Sequence, residues 1–396
     1  MIGAIEVDLG AIRRNVARLR ALVAPARLAI VVKADAYGHG LVRIARAAAP
    51  LVDALCVYRA SEALALRAGG VSAPILILGP VEPVELPQAL AAHAAVPVWS
   101  SGAYVRDLER AARAAGSPFT VHVKIETGLN RLGVSVDAAA AAILALRERP
   151  ELRVGGAYTH LAAAEELESA YTHEQLRQFE TALAPLASTR LPPKLTRHAA
   201  ASAAAILYPN LRLDLVRAGI ASYGLWPSAA TRAAARGAIE LEPALSYRSQ
   251  LVAVRDVPAG SAVGYGCSFI TERISRIGVL PLGYAEGIPR ALSNRGAVAI
   301  DGRPAPIVGR VCMNMSFIDV TEIPTARPGS RVTLIGADGE TRVAADDWAN
   351  WAQTINYEIV ARLPSAIPRV YVESPRPRSN DSPVSAIASS SAIVPS

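Results

Sequence analysis

Lys33 closes a short apolar run, Leu28-Ala29-Ile30-Val31-Val32, and opens the segment Ala34-Asp35-Ala36-Tyr37-Gly38-His39-Gly40. A lysine with apolar residues leading into it can shed its proton by desolvation, and the free amine is then nucleophilic enough for a Schiff base with a carbonyl. By residue type alone the same lysine also suits a solvated rim position. Further groups with chemical potential follow at strand-like ends: Lys124 and Arg131 in Lys124-Ile125-Glu126-Thr127-Gly128-Leu129-Asn130-Arg131-Leu132-Gly133, His160 after Gly156-Ala157-Tyr158-Thr159, and Arg217 in Val216-Arg217-Ala218-Gly219-Ile220. His122 and His198 read as core or rim residues. The three cysteines, Cys56, Cys267 and Cys312, have no CxxC spacing, which argues for a reducing compartment and against structural disulfides or a zinc site. No metal is expected.

Such residues need strands to carry them. Short apolar runs alternate with longer helical patterns at Leu28–Lys33, Ala54–Tyr58, Pro74–Gly79, Val96–Ser100, Thr120–Ile125, Val154–His160, Lys194–Ala199 and Leu215–Tyr223. Eight candidate strands separated by helices, without hairpin turns between them, predict a (β/α)8 TIM-type barrel, a doubly wound open sheet being the alternative from pattern alone. Between the first two runs Leu41, Ile44, Ala45 and Ala48 recur at helical spacing until Pro50, and Asp8 is the expected N-cap of a helix over Leu9 to Leu22. Near Ile239 the pattern changes to short runs punctuated by Gly and Pro: Leu251–Val254, Ser275–Pro281, Ala297–Ile300, Ser316–Val320 and Arg331–Ile335. The expected organisation is a barrel over 9–238, a C-terminal mainly-β domain over 239–374 with residues 1–8 packed on it, and a Ser- and Pro-rich disordered tail over 375–396.

Composition narrows the class of function. A chain of 396 residues with 52% hydrophobic and 19% charged residues can bury a sizeable core. The net charge of +7 comes from arginines scattered along Ala-rich helices, with no basic run of five, so a nucleic-acid partner is not expected. The first ten residues carry Glu6 and Asp8 and no apolar stretch of a secretory signal, and no run reaches membrane-span length. Cytoplasmic residence, with no membrane partner, is the expectation.

Val31 to Gly40 resembles the pyridoxal-5'-phosphate attachment segment of the alanine racemases, and further motifs of that family follow in order from about residue 5 to residue 372. The resemblance implies that Lys33 binds the cofactor covalently and that Tyr37 reaches its phosphate. It also implies that Arg131 contacts the cofactor phenolate oxygen and the substrate carboxylate, that Lys124 matches a lysine often carbamylated, and that His160 stacks by the cofactor ring and hydrogen-bonds the catalytic tyrosine. Ser202, Gly219, Ile220 and Tyr357 match phosphate-binding positions. Ala262-Val263-Gly264-Tyr265-Gly266 is similar to the segment of the catalytic tyrosine, which acts across a homodimer interface. Gly309-Arg310-Val311-Cys312-Met313-Asn314 resembles the GRVCMD signature, in which Met313 would offer its N–H to the substrate carboxylate, and Tyr284, Arg290 and Arg310 match an entry corridor. The chain departs from the family pattern at Ala201, where an Asn is usual, and at Asn314, where an acid is usual.

Arg217 would face the cofactor's pyridine nitrogen. A carboxylate there keeps the nitrogen protonated and the electron sink strong, whereas a guanidinium donates a hydrogen bond but yields no proton. Rapid return of a proton to Cα is then favoured over transamination or decarboxylation, as a racemase requires. Inversion also needs a second base on the opposite face, a role the resemblance gives to Tyr265. A free phenol ionises only near pH ~10, so such a base needs cationic neighbours. The expectation is a two-base, PLP-dependent racemase of L- and D-alanine, serving peptidoglycan synthesis or D-alanine breakdown. A broad-specificity amino-acid racemase is the alternative. A decarboxylase of similar architecture is disfavoured by Arg217, and a single-domain PLP carrier by the residues after Ile239.

Overall fold

A computed structural model of the chain describes residues 3–100, 102–188 and 195–374. The tail expected over 375–396 lies outside the described residues. The chain divides into two compact units, one spanning Ala11–Pro243 and the other combining the residues up to Gly10 with those from Ala244 onward. The strands are β1 (Gly3–Asp8), β2 (Arg27–Val31), β3 (Ala54–Val57), β4 (Ile75–Ile77), β5 (Ala94–Val98), β6 (Phe119–Lys124), β7 (Leu152–Tyr158), β8 (Thr196–His198) and β9 (Leu215–Ala218), followed by nine more after residue 244.

Strands β2 to β9 make one parallel eight-stranded sheet in the order β8-β7-β6-β5-β4-β3-β2-β9. It is nearly closed into a barrel, because Arg217 N donates to Ala200 O at 3.0 Å and Asp214 N to Arg197 O at 3.1 Å across the β8–β9 seam. Strands β3, β4 and β5 are unbroken apolar runs, as a sheet covered on both faces favours, whereas β6, β7 and β8 carry polar residues such as Thr120, Arg153 and Arg197. From Leu28 to Val31 every residue of β2 is buried, as is all of β9. The helices between them turn one apolar stripe to the sheet: in Leu41–Ala48 the buried residues are Ile44, Ala45 and Ala48.

The second unit holds β10 (Leu245–Gln250), β11 (Ala253–Val257), β12 (Ser275–Leu280), β13 (Ala297–Ile300), β14 (Arg303–Val308), β15 (Ser316–Asp319), β16 (Arg331–Asp338), β17 (Thr341–Val343) and β18 (Arg369–Val372). Together with β1 they form a ten-stranded sheet in the order β11-β12-β15-β14-β13-β16-β10-β1-β18, with β17 paired to β16. Alternation of buried and half-buried residues in β1 and β15 shows the two-residue period of strands covered on one face. Strand β1 is paired on both sides, antiparallel to β10 and parallel to β18. No helix among the described residues is long and apolar enough to cross a membrane.

Candidate active site

Strand β2 ends at Val31, two residues before Lys33, and the chain then makes a turn that few sequences adopt. Ala34, Asp35, Ala36 and Tyr37 all have φ of 53°, a left-handed turn built without glycine. Each L-residue in that conformation costs about 1–2 kcal/mol, and strain of this kind persists only where the surroundings fix it. Here Glu62 accepts from Ala34 N at 2.7 Å, Asp35 Oδ1 from Leu41 N at 2.8 Å, and Val31 O from the buried Tyr223 hydroxyl at 2.8 Å. The turn leaves Lys33 half-buried with its Nζ 6.0 Å from the centre of the Tyr58 ring. Burial, and secondarily the Arg131 guanidinium, lowers the Lys33 pKa. An amine so placed is easier to obtain in its neutral, nucleophilic form.

Other cations share this end of the barrel. Lys124, 4% exposed at the end of β6, donates to Leu132 O and is brought down to about 8 by burial and then by Arg131. Arg131 lies on the loop after β6, shaped by Glu126, which accepts from Gly128 N at 2.7 Å and Arg131 N at 3.1 Å. His160, half-buried after β7, is held neutral by burial and by Arg217 and Arg131, its pKa falling to about 3. Arg217 is buried in β9, in register with Ala29 of β2, and spends three N–H groups on His198 Nδ1 at 2.7 Å, Thr159 O at 2.8 Å and Ala199 O at 3.0 Å. A guanidinium has five such donors, so two are left for a ligand. Such a concentration of positive charge suits an anionic ligand carrying phosphate, phenolate or carboxylate oxygens.

A polar cradle lies beside it. A Cβ on Gly219 would stand 2.7 Å from Tyr37 Oη, so only glycine lets the phenol approach this backbone. Ser202 Oγ, 3% exposed, accepts from Gly219 N at 2.9 Å and Ala221 N at 3.3 Å, and buried Ile220 follows Gly219. With the Gly219 and Ala221 N–H groups taken by Ser202 Oγ, the Tyr37 and Ser202 hydroxyls beside this open glycine backbone are the groups that fit a phosphate. Ala201 N-caps the helix Ser202–Leu207 without a side-chain hydrogen bond, the contact an Asn could have made. The barrel residues therefore fit a phosphorylated aldehyde cofactor on the amine, the ring nitrogen and the phosphate alike.

Gln175 was not among the residues singled out from the sequence, yet it ties two site loops together. Fully buried on the helix Tyr171–Leu183, its Nε2 donates to Thr127 Oγ1 at 3.3 Å and His160 O at 3.2 Å, and its Oε1 accepts from Ala162 N at 2.8 Å. Thr127 and Thr159 hydroxyls meet at 2.6 Å beneath it. A glutamine on the buried stripe of an otherwise polar helix is the signal that marks it.

In the β unit the loops bearing Tyr265, Tyr284 and Met313 come together. Tyr284 N donates to Cys312 O at 3.0 Å and Ala285 N to Met313 O at 2.9 Å, while the Arg310 guanidinium lies within 2.7 Å of where a Cβ on Gly266 would stand. Tyr265 is 73% exposed and Met313 57%. Asn314 donates from Nδ2 to Glu286 Oε1 at 2.7 Å, so an acid at 314 would set two carboxylates face to face. The Asn314 departure therefore has a local partner in Glu286. Arg290 is exposed in the turn Arg290–Leu292, which Ser293 Oγ ties to Val311 N, and Tyr357 is half-buried in the helix Asn356–Ala361.

A parallel barrel that presents a desolvated amine among cations, joined in one chain to a β-sheet domain, is the architecture of a two-domain barrel enzyme. Residues 7–227 match the alanine racemase N-terminal domain and residues 244–371 the alanine racemase C-terminal domain. The chain is 38% identical to the alanine racemase of Desulfosudis oleivorans, over 92% of this chain and 95% of that one, and 40% identical to that of Syntrophobacter fumaroxidans, over 91% and 94%. Among solved structures it is similar to the alanine racemase of Clostridium difficile 630, with a TM-score of 0.88, 30% identity and coverage of 94% and 96%. That of Streptomyces coelicolor A3(2) gives 0.85, 36%, 94% and 98%. The chain belongs to the alanine racemase family of isomerases.

Proposed function

We propose that the chain interconverts L-alanine and D-alanine with pyridoxal 5'-phosphate held on Lys33, as a homodimer in which a second copy supplies Tyr265. The observation that carries this reading is the pairing, at one end of the barrel, of a desolvated Lys33 amine with an Arg217 guanidinium that keeps two donors spare. Pyridoxal phosphate supplies, when bound, an electron sink that acidifies the Cα–H of an attached amino acid. Tyr37, Ser202, Gly219, Ile220 and Tyr357 would hold its phosphate, and Arg217 would donate to its ring nitrogen. Arg131 would hold the phenolate oxygen and the substrate carboxylate, to which Met313 would offer its N–H.

Freed when the substrate's amino group takes its place on the cofactor carbon, Lys33 Nζ would take or return the proton on one face of Cα, and Tyr265 Oη would do so on the other. His160, neutral and beside Arg217, orients the Tyr265 hydroxyl. Because Arg217 would yield no proton to the ring nitrogen, the cofactor would be a weaker electron sink, which favours return of a proton to Cα over loss of another group. Lys124, neutral more readily than an exposed lysine, is suited to take up carbon dioxide as a carbamate, an anion that would steady Arg131. Tyr284, Arg290 and Arg310 line the way in. The three free cysteines suit a cytoplasmic enzyme supplying D-alanine for peptidoglycan or consuming it. Chiral amino-acid analysis after incubating the PLP-loaded protein with a panel of L-amino acids tests this. D-alanine should form far faster than any other D-isomer. Comparable rates for serine, lysine or arginine would establish a broad-specificity racemase instead, and no D-isomer at all would overturn the reading.

A further inference from the structure

His122 and His198 have no part in the chemistry above, yet with Arg217 they form a hydrogen-bonded string through the barrel. Arg217 Nη1 meets His198 Nδ1 at 2.7 Å, and His198 Nε2 meets His122 Nδ1 at 2.8 Å. A guanidinium only donates, so His198 Nδ1 must accept. The proton of neutral His198 therefore sits on Nε2 and is donated to His122, whose own proton is left on Nε2. One obligate donor at the end of the string thus sets the tautomer of both rings.

The backbone is shaped to let His122 reach its partner, because β7 lies between β6 and β8. The β6–β7 register shifts between Val121 and His122, setting His122 opposite Gly156 rather than Gly155. A Cβ on Gly156 would stand 2.5 Å from His122 Nδ1. Tyr158 stacks on His198 with ring centres 4.9 Å apart and planes 4° from parallel, and Arg217 Cζ lies 5.3 Å from the same ring. His198 is therefore fixed at its face and at both ring nitrogens.

We propose that His122 is a positioning residue for Arg217, acting through His198: it accepts the Nε2 proton, holds His198 in the tautomer that accepts from Arg217, and so aims the remaining guanidinium donors at the barrel site. The proposal rests on the reading of Arg217 as the partner of the cofactor's ring nitrogen. Without an acceptor at position 122 the buried His198 Nε2–H is unpaired, and the ring gains by moving its proton or turning, either of which removes the acceptor from Arg217.

The test compares the full-length chain with His122→Leu, which removes the acceptor, and His122→Asn, which offers an amide oxygen near the place of Nδ1. Nitrogen-15 correlation spectra of the histidines, recorded without cofactor, report the tautomer, and thermal melts report folding. After loading with pyridoxal phosphate, kcat and KM are measured with L-alanine. In the unaltered chain and in His122→Asn, His198 should be wholly the Nε2–H tautomer. In His122→Leu it should become mixed and kcat should fall roughly 10-fold or more, as for other groups that orient a site residue, with KM within about 3-fold. His122→Asn should recover most of the turnover.

A folded His122→Leu protein with the original tautomer and turnover would overturn the proposal, as would His122→Asn no better than His122→Leu. Should His122→Leu fail to fold, His122→Gln, whose longer amide misplaces the oxygen, takes its role. If the unaltered chain does not racemise alanine, the functional reading fails, and the cofactor-free tautomers still decide whether His122 sets His198.

Discussion

Burial, and then the Arg131 guanidinium, disfavours the protons of Lys33 and Lys124 at one end of the barrel, and the histidines beside them feel the same positive field. Burial, and then Arg217, holds His122 at about 4, His160 at about 3 and His198 well below its ordinary value. A histidine whose folded pKa is depressed is neutral in the native state and gains its proton first on unfolding. Its contribution to stability is whole above about pH 6.5 and is lost as pH falls from there toward the folded value. For His122 alone that loss is about 2 kcal/mol by pH 5. Denaturant melts at pH 7.5 and pH 5 should show a clear fall in midpoint with unchanged slope, and equal midpoints would mean that these rings are protonated in the folded protein.

Among elements, the left-handed turn after Lys33 shows where sequence reading runs out. Ala34, Asp35, Ala36 and Tyr37 carry no glycine to announce positive φ, and the conformation is imposed from outside by Glu62, which accepts from Ala34 N, Tyr58 N and Arg59 N. Glu62→Ala should destabilise the protein by about 1.5–3 kcal/mol, the range for hydrogen bonds to a charged group, and slow attachment of pyridoxal phosphate to Lys33. Thermal melts and the absorbance of the bound cofactor check both, and an unchanged melt would show that the turn holds itself. Strand β14 was hidden for a different reason. Pro304 and Pro306 demote Arg303–Val308 in any reading of strands, yet both pair only toward β13, and β15 joins beyond them at Ile307 and Val308. Barrel strands such as β3, β4 and β5 are legible as uninterrupted apolar runs, whereas Gln175 depends on contacts made between distant loops.

At the scale of the whole molecule, the sequence pattern foretells a barrel followed by a β domain, and the structure has both. Lys33 can be singled out from its neighbours and its place at a strand end. Arg131, Arg217 and Tyr265 gain meaning only through family resemblance, because their roles depend on groups brought from other parts of the fold. The central claim is that inversion at Cα uses two bases on opposite faces, Lys33 and Tyr265. It is tested most directly by incubating L-alanine with the PLP-loaded protein in deuterium oxide and measuring, at low conversion, the Cα isotope in each isomer. Two bases predict D-alanine that carries mostly solvent deuterium, since the base that delivers the proton is not the one that removed it. D-alanine that mostly retains the substrate's own hydrogen would show that a single base moves one proton from face to face, and would contradict the account.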